Sequence, residues 1–583
     1  SGRAYRAPTN AVEAQLTEVW QHVLGIAQVG VDDDFFELGG NSLLVTRVLT
    51  GAKRAIGAAV PLSAFFKDPT IAGMAARIGM VSAAPIPQLP LTSTTRSGEW
   101  TVASPGQQRL WVTHMLEGAT ATYNGTHVWD LRGSLDIEAL ESAFADVLRR
   151  HDVLRTVYQQ RDGVVWQRAL PASERFAIEA SDLQHLQAAD LAIDACSPLL
   201  ARIREEGRKV FDLAAAAPFS VALLTLSPAR HVLIFNVHHI ASDGWSLGLL
   251  QRELSLHYNA VVSGAPSALP PLALQYADYA SWQRGMLAEE KLQPQIEYWR
   301  RRLAGLAPSP MSLQAAAAEP SGSGSFTFEL DSGVVERLQG FAHARGMTLF
   351  MVLVAALNVL VARNSGSFDV AIGTSVAGRN RSEVEELIGF FVNQLVLRTD
   401  LGGDPSVEAL LASTRDTVVG ALDHQDVPFS TLVSEFAPSR DASRSPFFQM
   451  LFVLQDFSDE PLRLQGLDVS VWVDRQQIAK FDLTLYAGQV DGRLQATWIH
   501  DTAVFSTSAV EILSMQLRHL LGQMLERPES ALSAIELMSP DEREALEREK
   551  LQRKSSKFGK LKAIVAKGEA RVPLNTVDAE GRV

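Results

Sequence analysis

His238-His239-Ile240-Ala241-Ser242-Asp243-Gly244 closes a short, nearly continuous apolar run from His231 to Val237. Such a run reads as a buried strand, which makes the heptad a strand end opening into a loop or a helix. With 13 His and 40 Gly in 583 residues, and Asp taken at about 6%, chance produces the pattern with a probability on the order of 10⁻³. Adjacent side chains on a strand point to opposite faces, so His238 and His239 are poorly placed to chelate one ion, and no metal is expected. A histidine at a strand end in a cleft suits proton transfer near neutral pH. His239 is therefore the candidate base, with His238 a core histidine and Gly244 structural support. Asp243 reads either as the orienting acid of a triad or as half of a structural salt bridge. No Ser or Cys stands in an evident nucleophile turn, which favours the salt bridge.

Outward from this strand, helices alternate with strands from Ser104 onward. Leu135 to Arg149 has helical periodicity, and so does Thr348 to Arg363. The second contains the uninterrupted apolar run Leu349 to Leu357, far short of the ~20 residues that span a bilayer, so it reads as a core helix and no membrane partner is expected. Asp491-Gly492, between Leu483–Tyr486 and Leu494–Trp498, is a hairpin signal. A body of about 440 residues exceeds one hydrophobic core. The low-complexity stretch from Ala315 through Pro320 to Ser325 would let the chain cross between two lobes, expected at 101–310 and 311–540. Two lobes imply a cleft.

The first eighty residues read as a separate helical bundle. Asn10 and Glu13 form a capping pattern ahead of Val12, Leu16, Val19, Trp20 and Val23, and the periodicity stops at Gly25. A second helix starts near Ser42 and a last one runs from Thr70 to Ile78. Residues 81–100 hold prolines, Ser and Thr without periodicity and read as a linker that lets the first unit move. Residues 541–583 read as a basic, solvated linker. Ser42 follows Gly39-Gly40-Asn41 at a helix start, where free amides and the helix dipole favour a phosphate; a plain helix cap is the other reading of that position. Net charge −13, from 53 basic and 66 acidic residues, argues against a nucleic-acid binder. The single cysteine, Cys196, excludes an internal disulfide, reads as inert packing and suits a reducing cytoplasm. The amino end lacks an initiator Met and a secretion leader, as expected for a segment of a longer polypeptide.

Asp34-Phe35-Phe36-Glu37-Leu38-Gly39-Gly40-Asn41-Ser42-Leu43 resembles the attachment motif of peptidyl carrier domains in nonribosomal peptide synthetases, and Tyr5-Arg6-Ala7-Pro8 resembles the link from an adenylation domain. The heptad at His238 with Trp245-Ser246 resembles the HHxxxDG motif of condensation domains. Other motifs of that family follow in order. Ser104–Trp111 and Arg150–Thr156 precede the heptad, while Tyr276–Gln283, Ile388–Gln394, His424–Phe429 and Arg440–Gln449 come after it. Two positions depart: Gly106 stands where alanine is common and Gln394 where threonine is common.

The resemblance implies a four-helix carrier (1–80) followed by a chloramphenicol-acetyltransferase-like condensation domain, an α/β pair of lobes in a V with His239 in a central tunnel. It implies 4′-phosphopantetheine on Ser42, installed by a phosphopantetheinyl transferase, an upstream adenylation domain, a downstream aminoacyl carrier as acceptor, and a monomer. His239 would act as base, as amine orienter, or as both. Asp243 would pair with Arg155. With no epimerase between carrier and body, the donor is expected to end in an L residue or glycine. Two alternatives share the heptad. An epimerisation domain is disfavoured by the stretches at 388–394, 424–429 and 440–449, and an inactive recruitment platform by the intact His239 and Asp243.

Overall fold

The computed structural model describes residues 5–548 apart from 41, 58, 59, 61, 79–89, 117, 119, 187–196, 268, 308–321, 438–444, 456–460, 473–477, 491, 541, 542 and 545–547. Asn41, Cys196, Asp491, Ala315–Pro320, Arg440–Arg444 and nearly all of the basic tail fall outside the described residues.

Four helices form the first unit: α1 (Ala11–Leu24), α2 (Ser42–Ile56), α3 (Leu62–Lys67) and α4 (Ile71–Ile78). The Asn10 side chain caps α1 by accepting from the Glu13 amide, and Gly25 ends it at φ 67°. Trp20, Phe35 and Phe65 are fully buried, and Phe35 meets the other two edge-on, with Trp20 and Phe35 centroids 4.9 Å apart. Edge-to-face contacts of this kind add to the area they bury. The cluster fixes the turn ahead of α2, because a Cβ on Gly40 would fall 2.2 Å from the Phe35 ring.

The body begins earlier than its sequence suggests. Leu91 lies in the core of the first lobe. The buried Asp278 carboxylate accepts from the amides of Thr94 and Thr95 at 2.8 and 2.9 Å. Residues 91–100 therefore pack on the body, although their composition reads as linker. A small sheet follows, from β1 (Thr101–Val102), β3 (Thr156–Arg161) and β4 (Val164–Ala169).

The first lobe's main sheet contains β2 (Asn124–Gly133), β5 (Glu179–Asp182), β6 (Phe219–Ser227) and β7 (Arg230–His238). Helices α5 (Pro105–Leu116), α6 (Ile137–Arg150), α7 (Pro198–Gly207), α8 (Gly244–Ser263) and α9 (Tyr276–Ala288) belong to this lobe, while α10 (Gln293–Leu303) packs into the second lobe's core through Ile296, Trp299 and Leu303.

The second lobe holds β8 (Ser323–Leu330), β9 (Asp369–Val376), β10 (Asn393–Asp400), β11 (Met450–Gln455), β13 (Leu483–Val490) and β14 (Arg493–Asp501), ordered β10-β9-β11-β13-β14-β8. Its helices are α11 (Ser332–His343), α12 (Leu349–Ser365), α13 (Val407–Asp423), α14 (Phe429–Phe436) and α15 (Thr507–Glu526). Twelve residues of α12, Met351–Ala362, are buried without a break, as an all-round apolar helix requires.

Two features depart from the sequence reading. Ser323–Ser325 belong to β8 rather than to a crossing segment. β12 (Leu467–Trp472), which follows the second lobe's strands in sequence, joins the first lobe's sheet beside β2, so a break at one residue does not separate the lobes. No helix among the described residues is long and apolar enough to cross a membrane.

Candidate active site

β7 delivers His238 and His239 to the junction of the lobes. His238 is fully buried, and its Nδ1 accepts from the Ile240 amide at 3.1 Å. Its Nε2 is buried without a partner among the described residues. Burial, aided by the charges of His114 and Lys480, holds its pKa down to about 3. His239 is half-buried and faces a cavity of about 720 Å³ between the lobes. Its Nδ1 lies 3.2 Å from the carbonyl oxygen of Ser242. A carbonyl only accepts, so Nδ1 carries the proton and Nε2 keeps the lone pair. Desolvation, with a smaller push from Lys480, holds its pKa well below 6.5. The ring is therefore neutral at neutral pH, with a free basic nitrogen.

Asp243 is a joint between the lobes rather than a catalytic acid. As the N-cap of α8 its Oδ1 accepts from the amide and hydroxyl of Ser246 at 2.9 and 2.7 Å. From the second lobe come the Phe391 amide, 3.0 Å from Oδ2, and the Arg379 guanidinium, 3.3 Å from Oδ1. Arg379 is buried, lies 4.0 Å from the Phe391 ring and donates to the carbonyls of Val384 and Leu387.

The expected Asp243–Arg155 pair does not exist. Arg155 belongs to the short helical turn Asp152–Arg155 and is occupied by Asp152 and the carbonyls of Leu148 and Leu170. It supports that turn, away from the cavity. Sequence reasoning missed Arg379; the available signal was Gly378 beside it. Gly378 sits at φ 65° where a Cβ would meet the Phe391 carbonyl at 2.0 Å.

Four of the other motif stretches, at 104–111, 276–283, 388–394 and 424–429, meet at the same junction. Tyr276 joins Ser104 and donates to the Phe390 carbonyl at 2.6 Å. Gln107 reaches the Ile240 carbonyl, and Asn393 donates to the carbonyls of Gln425 and Val427. Gln394, the departure from the family pattern, accepts from Arg109 at 3.0 Å, and both line the cavity with His239. Gly106 admits Phe390, whose ring would lie 3.1 Å from a Cβ there.

At the other end of the cavity stands the helical unit. Phe36, Glu37, Gly39 and Gly40 line its mouth together with Gly244 and Trp245. The Phe36 ring packs 5.9 Å from His343 at the end of α11, and Arg47 of α2 lies 5.8 Å over Trp245. α2 starts at Ser42 directly behind this turn. One cavity thus runs from the turn that precedes Ser42 to His239.

A model of the condensation domain matches residues 99–547. The chain belongs to the condensation-domain family. Residues 14–78 match the phosphopantetheine attachment site, so the helical unit ahead of the condensation domain is a carrier. The chain is 34% identical to a component of the linear gramicidin synthase of Brevibacillus parabrevis over 94% of its own length and 7% of that protein. It is 35% identical to a dimodular nonribosomal peptide synthase of Bacillus subtilis over 93% and 23%. The chain thus spans a small part of these relatives. Among solved structures, the X-domain from teicoplanin biosynthesis is 28% identical and covers 77% of this chain and all of its own, with a TM-score of 0.69.

Removing one partner of a buried ion pair typically costs about 3–5 kcal/mol. Arg379→Met and Asp243→Ala should each lower the melting temperature of the condensation domain by several degrees; an unchanged melting curve in Arg379→Met contradicts the joint. A second expectation concerns protonation. Because burial lowers the His239 pKa, the ring gains its proton only as pH falls below 6.5. Nitrogen-15 histidine spectra should show it neutral, with the proton on Nδ1, from about pH 7.5 down to pH 6.5. A half-protonated ring at or above 6.5 contradicts the assignment.

Proposed function

We propose that this segment makes an amide bond between a donor acyl or peptidyl group carried on Ser42 and the α-amine of an aminoacyl group on a separate downstream carrier. The observation that carries this reading is the single cavity joining the Gly39-Gly40 turn to His239. A 4′-phosphopantetheine arm fits the carrier: the turn ahead of Ser42 is glycine-locked, faces the cavity and leads into a helix start, where backbone amides favour a phosphate. The arm supplies the thioester that activates the donor carbonyl. A phosphopantetheinyl transferase would install it, and an adenylation domain upstream would load it.

The acceptor amine enters the cavity and attacks the donor carbonyl; the N–C bond forms, the C–S bond breaks and the sulfur leaves. The neutral Nε2 of His239 accepts the proton that the amine loses and passes it to the departing sulfur, while Nδ1–H held by Ser242 fixes the ring. Positioning is the larger effect. Holding both reactants in near-attack geometry is worth roughly 7–11 kcal/mol, against ~10²–10⁴-fold for one proton-transfer group. Asp243, Arg379 and Gly244 serve that geometry by fixing the lobes and the start of α8. The donor's last residue is read as L or glycine, because a single linker joins carrier to body. A second reading draws on the teicoplanin X-domain, which is also solved in complex with OxyB: a platform that recruits a partner and forms no bond.

Intact-protein mass spectrometry separates the two. After treatment with a phosphopantetheinyl transferase the chain should gain one arm, and Ser42→Ala none. With a loaded donor and an aminoacyl carrier, the wild type should transfer the donor, and His239→Ala should transfer it about 10²-fold or more slowly at unchanged loading. A loaded donor that stays on the wild type supports the platform, and a modified Ser42→Ala removes the attachment assignment.

A further inference from the structure

The cavity does not stop at His239; it passes through the second lobe's sheet. β9 and β11 are in register only at Gly373 with Leu451 and Thr374 with Phe452. Beyond these pairs the strands part, and Ser375 and Val376 on one side and Val453 and Leu454 on the other line the cavity. The registers show that it reaches both faces of the sheet. Leu451, Thr484 and Ile499 share one face through the pairs Leu451–Thr484 and Thr484–Ile499. Leu395 and Leu397 share the other with Thr374, Ile372 and Phe452, and Phe452 stacks on Phe350 of α12 at 5.4 Å. All three residues of the first face line the cavity, as do Leu395, Leu397 and Phe350 of the second. A branch therefore extends from the interlobe space to the layer between the sheet and helices α12 and α13.

The chemistry changes along that path. The charged groups on the cavity wall, Glu37, Arg109, Asp243, Arg379 and Lys480, stand on the carrier, on the first lobe or on segments facing it. The wall of the branch is Leu349, Phe350, Leu395, Leu397, Val418 and Leu422, with Thr374 beside Leu395, its hydroxyl already donated to the Phe452 carbonyl. Leu395, Leu397 and Val418 are fully buried. A charged group placed there would lose its hydration and meet no counter-ion, whereas an apolar group would gain contact on every side.

We propose that this branch is a binding site for an uncharged apolar substituent of the donor, either the side chain of its last residue or an acyl tail on its amino group. This rests on the condensation reading, since the substituent enters attached to a donor delivered from Ser42. The branch then selects donors by what lies behind the reacting carbonyl, while the carbonyl remains at His239.

The test compares four donors loaded on Ser42 of the full chain: glycyl, N-octanoyl-glycyl, leucyl and aspartyl, each with the same aminoacyl carrier, with transfer followed by quenched mass spectrometry. The wild type should transfer the leucyl or the octanoyl-glycyl donor roughly 10–100-fold faster than the aspartyl donor. Whichever of the two leads tells a side-chain site from a tail site. Val418→Phe, which narrows the branch, should slow that leading donor at least tenfold more than the glycyl donor; Val418→Ala, which widens it, should slow it less than Val418→Phe does. Equal rates for leucyl, octanoyl-glycyl and aspartyl donors overturn the proposal. So does a Val418→Phe variant that slows glycyl and leucyl donors alike, because the branch would then hold the arm rather than the substituent. If no donor is transferred, the condensation reading fails. The branch is then read by binding: Ser42→Ala should take up free octanoyl-pantetheine more tightly than Ser42→Ala/Val418→Phe, and equal affinities overturn it.

Discussion

The Asp243 carboxylate, with its four donors, is the constraint on which the active cavity depends. Two of its hydrogen bonds come from Ser246 on its own helix, and two come across the lobe junction from Arg379 and the Phe391 amide. Ser246 extends the joint, its hydroxyl oxygen accepting from the Gly389 amide at 3.0 Å. A carboxylate buried this deeply is tolerable only when it is paired and hydrogen-bonded, and here the partners come from both lobes. The same residue caps α8, so one side chain sets the direction of the helix leaving the heptad and the separation of the lobes around His239.

That joint explains why His239 needs no orienting acid. The residue four positions on is already fully engaged, and the backbone carbonyl of Ser242 performs the orienting instead. With only a neutral acceptor on Nδ1, nothing near the ring stabilises its protonated form strongly, and burial with nearby Lys480 keeps it neutral. The histidine is thus suited to accepting a proton briefly. The contacts of Phe36 with His343 and of Arg47 with Trp245 are where the carrier meets the condensation domain, and on the proposed reading the larger free-energy gain comes from bringing two acyl groups to one cavity.

Much of this was legible in the sequence because it is local. The apolar strand ending in two histidines, the Gly39-Gly40 turn ahead of Ser42 and the Asn10 cap are each set by a few consecutive residues. What was not legible is set by residues far apart in the chain. Arg379 lies 136 positions from Asp243, and no periodicity connects them; family resemblance pointed to Arg155, which the nearby Asp152 already holds. Residues 91–100 have the composition of a linker, yet Asp278, more than 180 positions away, pins them to the body. β12 leaves its own lobe for the other lobe's sheet edge, which alternation of apolar residues cannot reveal, since an edge strand reads the same wherever it pairs. The opening between β9 and β11 is likewise a property of register.

On the proposed reading the carrier serves the cavity of its own chain. Single-turnover transfer from loaded Ser42 to a saturating aminoacyl carrier, measured over a hundredfold range of chain concentration, tests it most directly. One rate constant is expected throughout, unaffected by an excess of Ser42→Ala chains that offer empty cavities. A rate constant that rises in proportion to chain concentration, and rises again when those chains are added, would show that the donor is delivered between molecules and would contradict it.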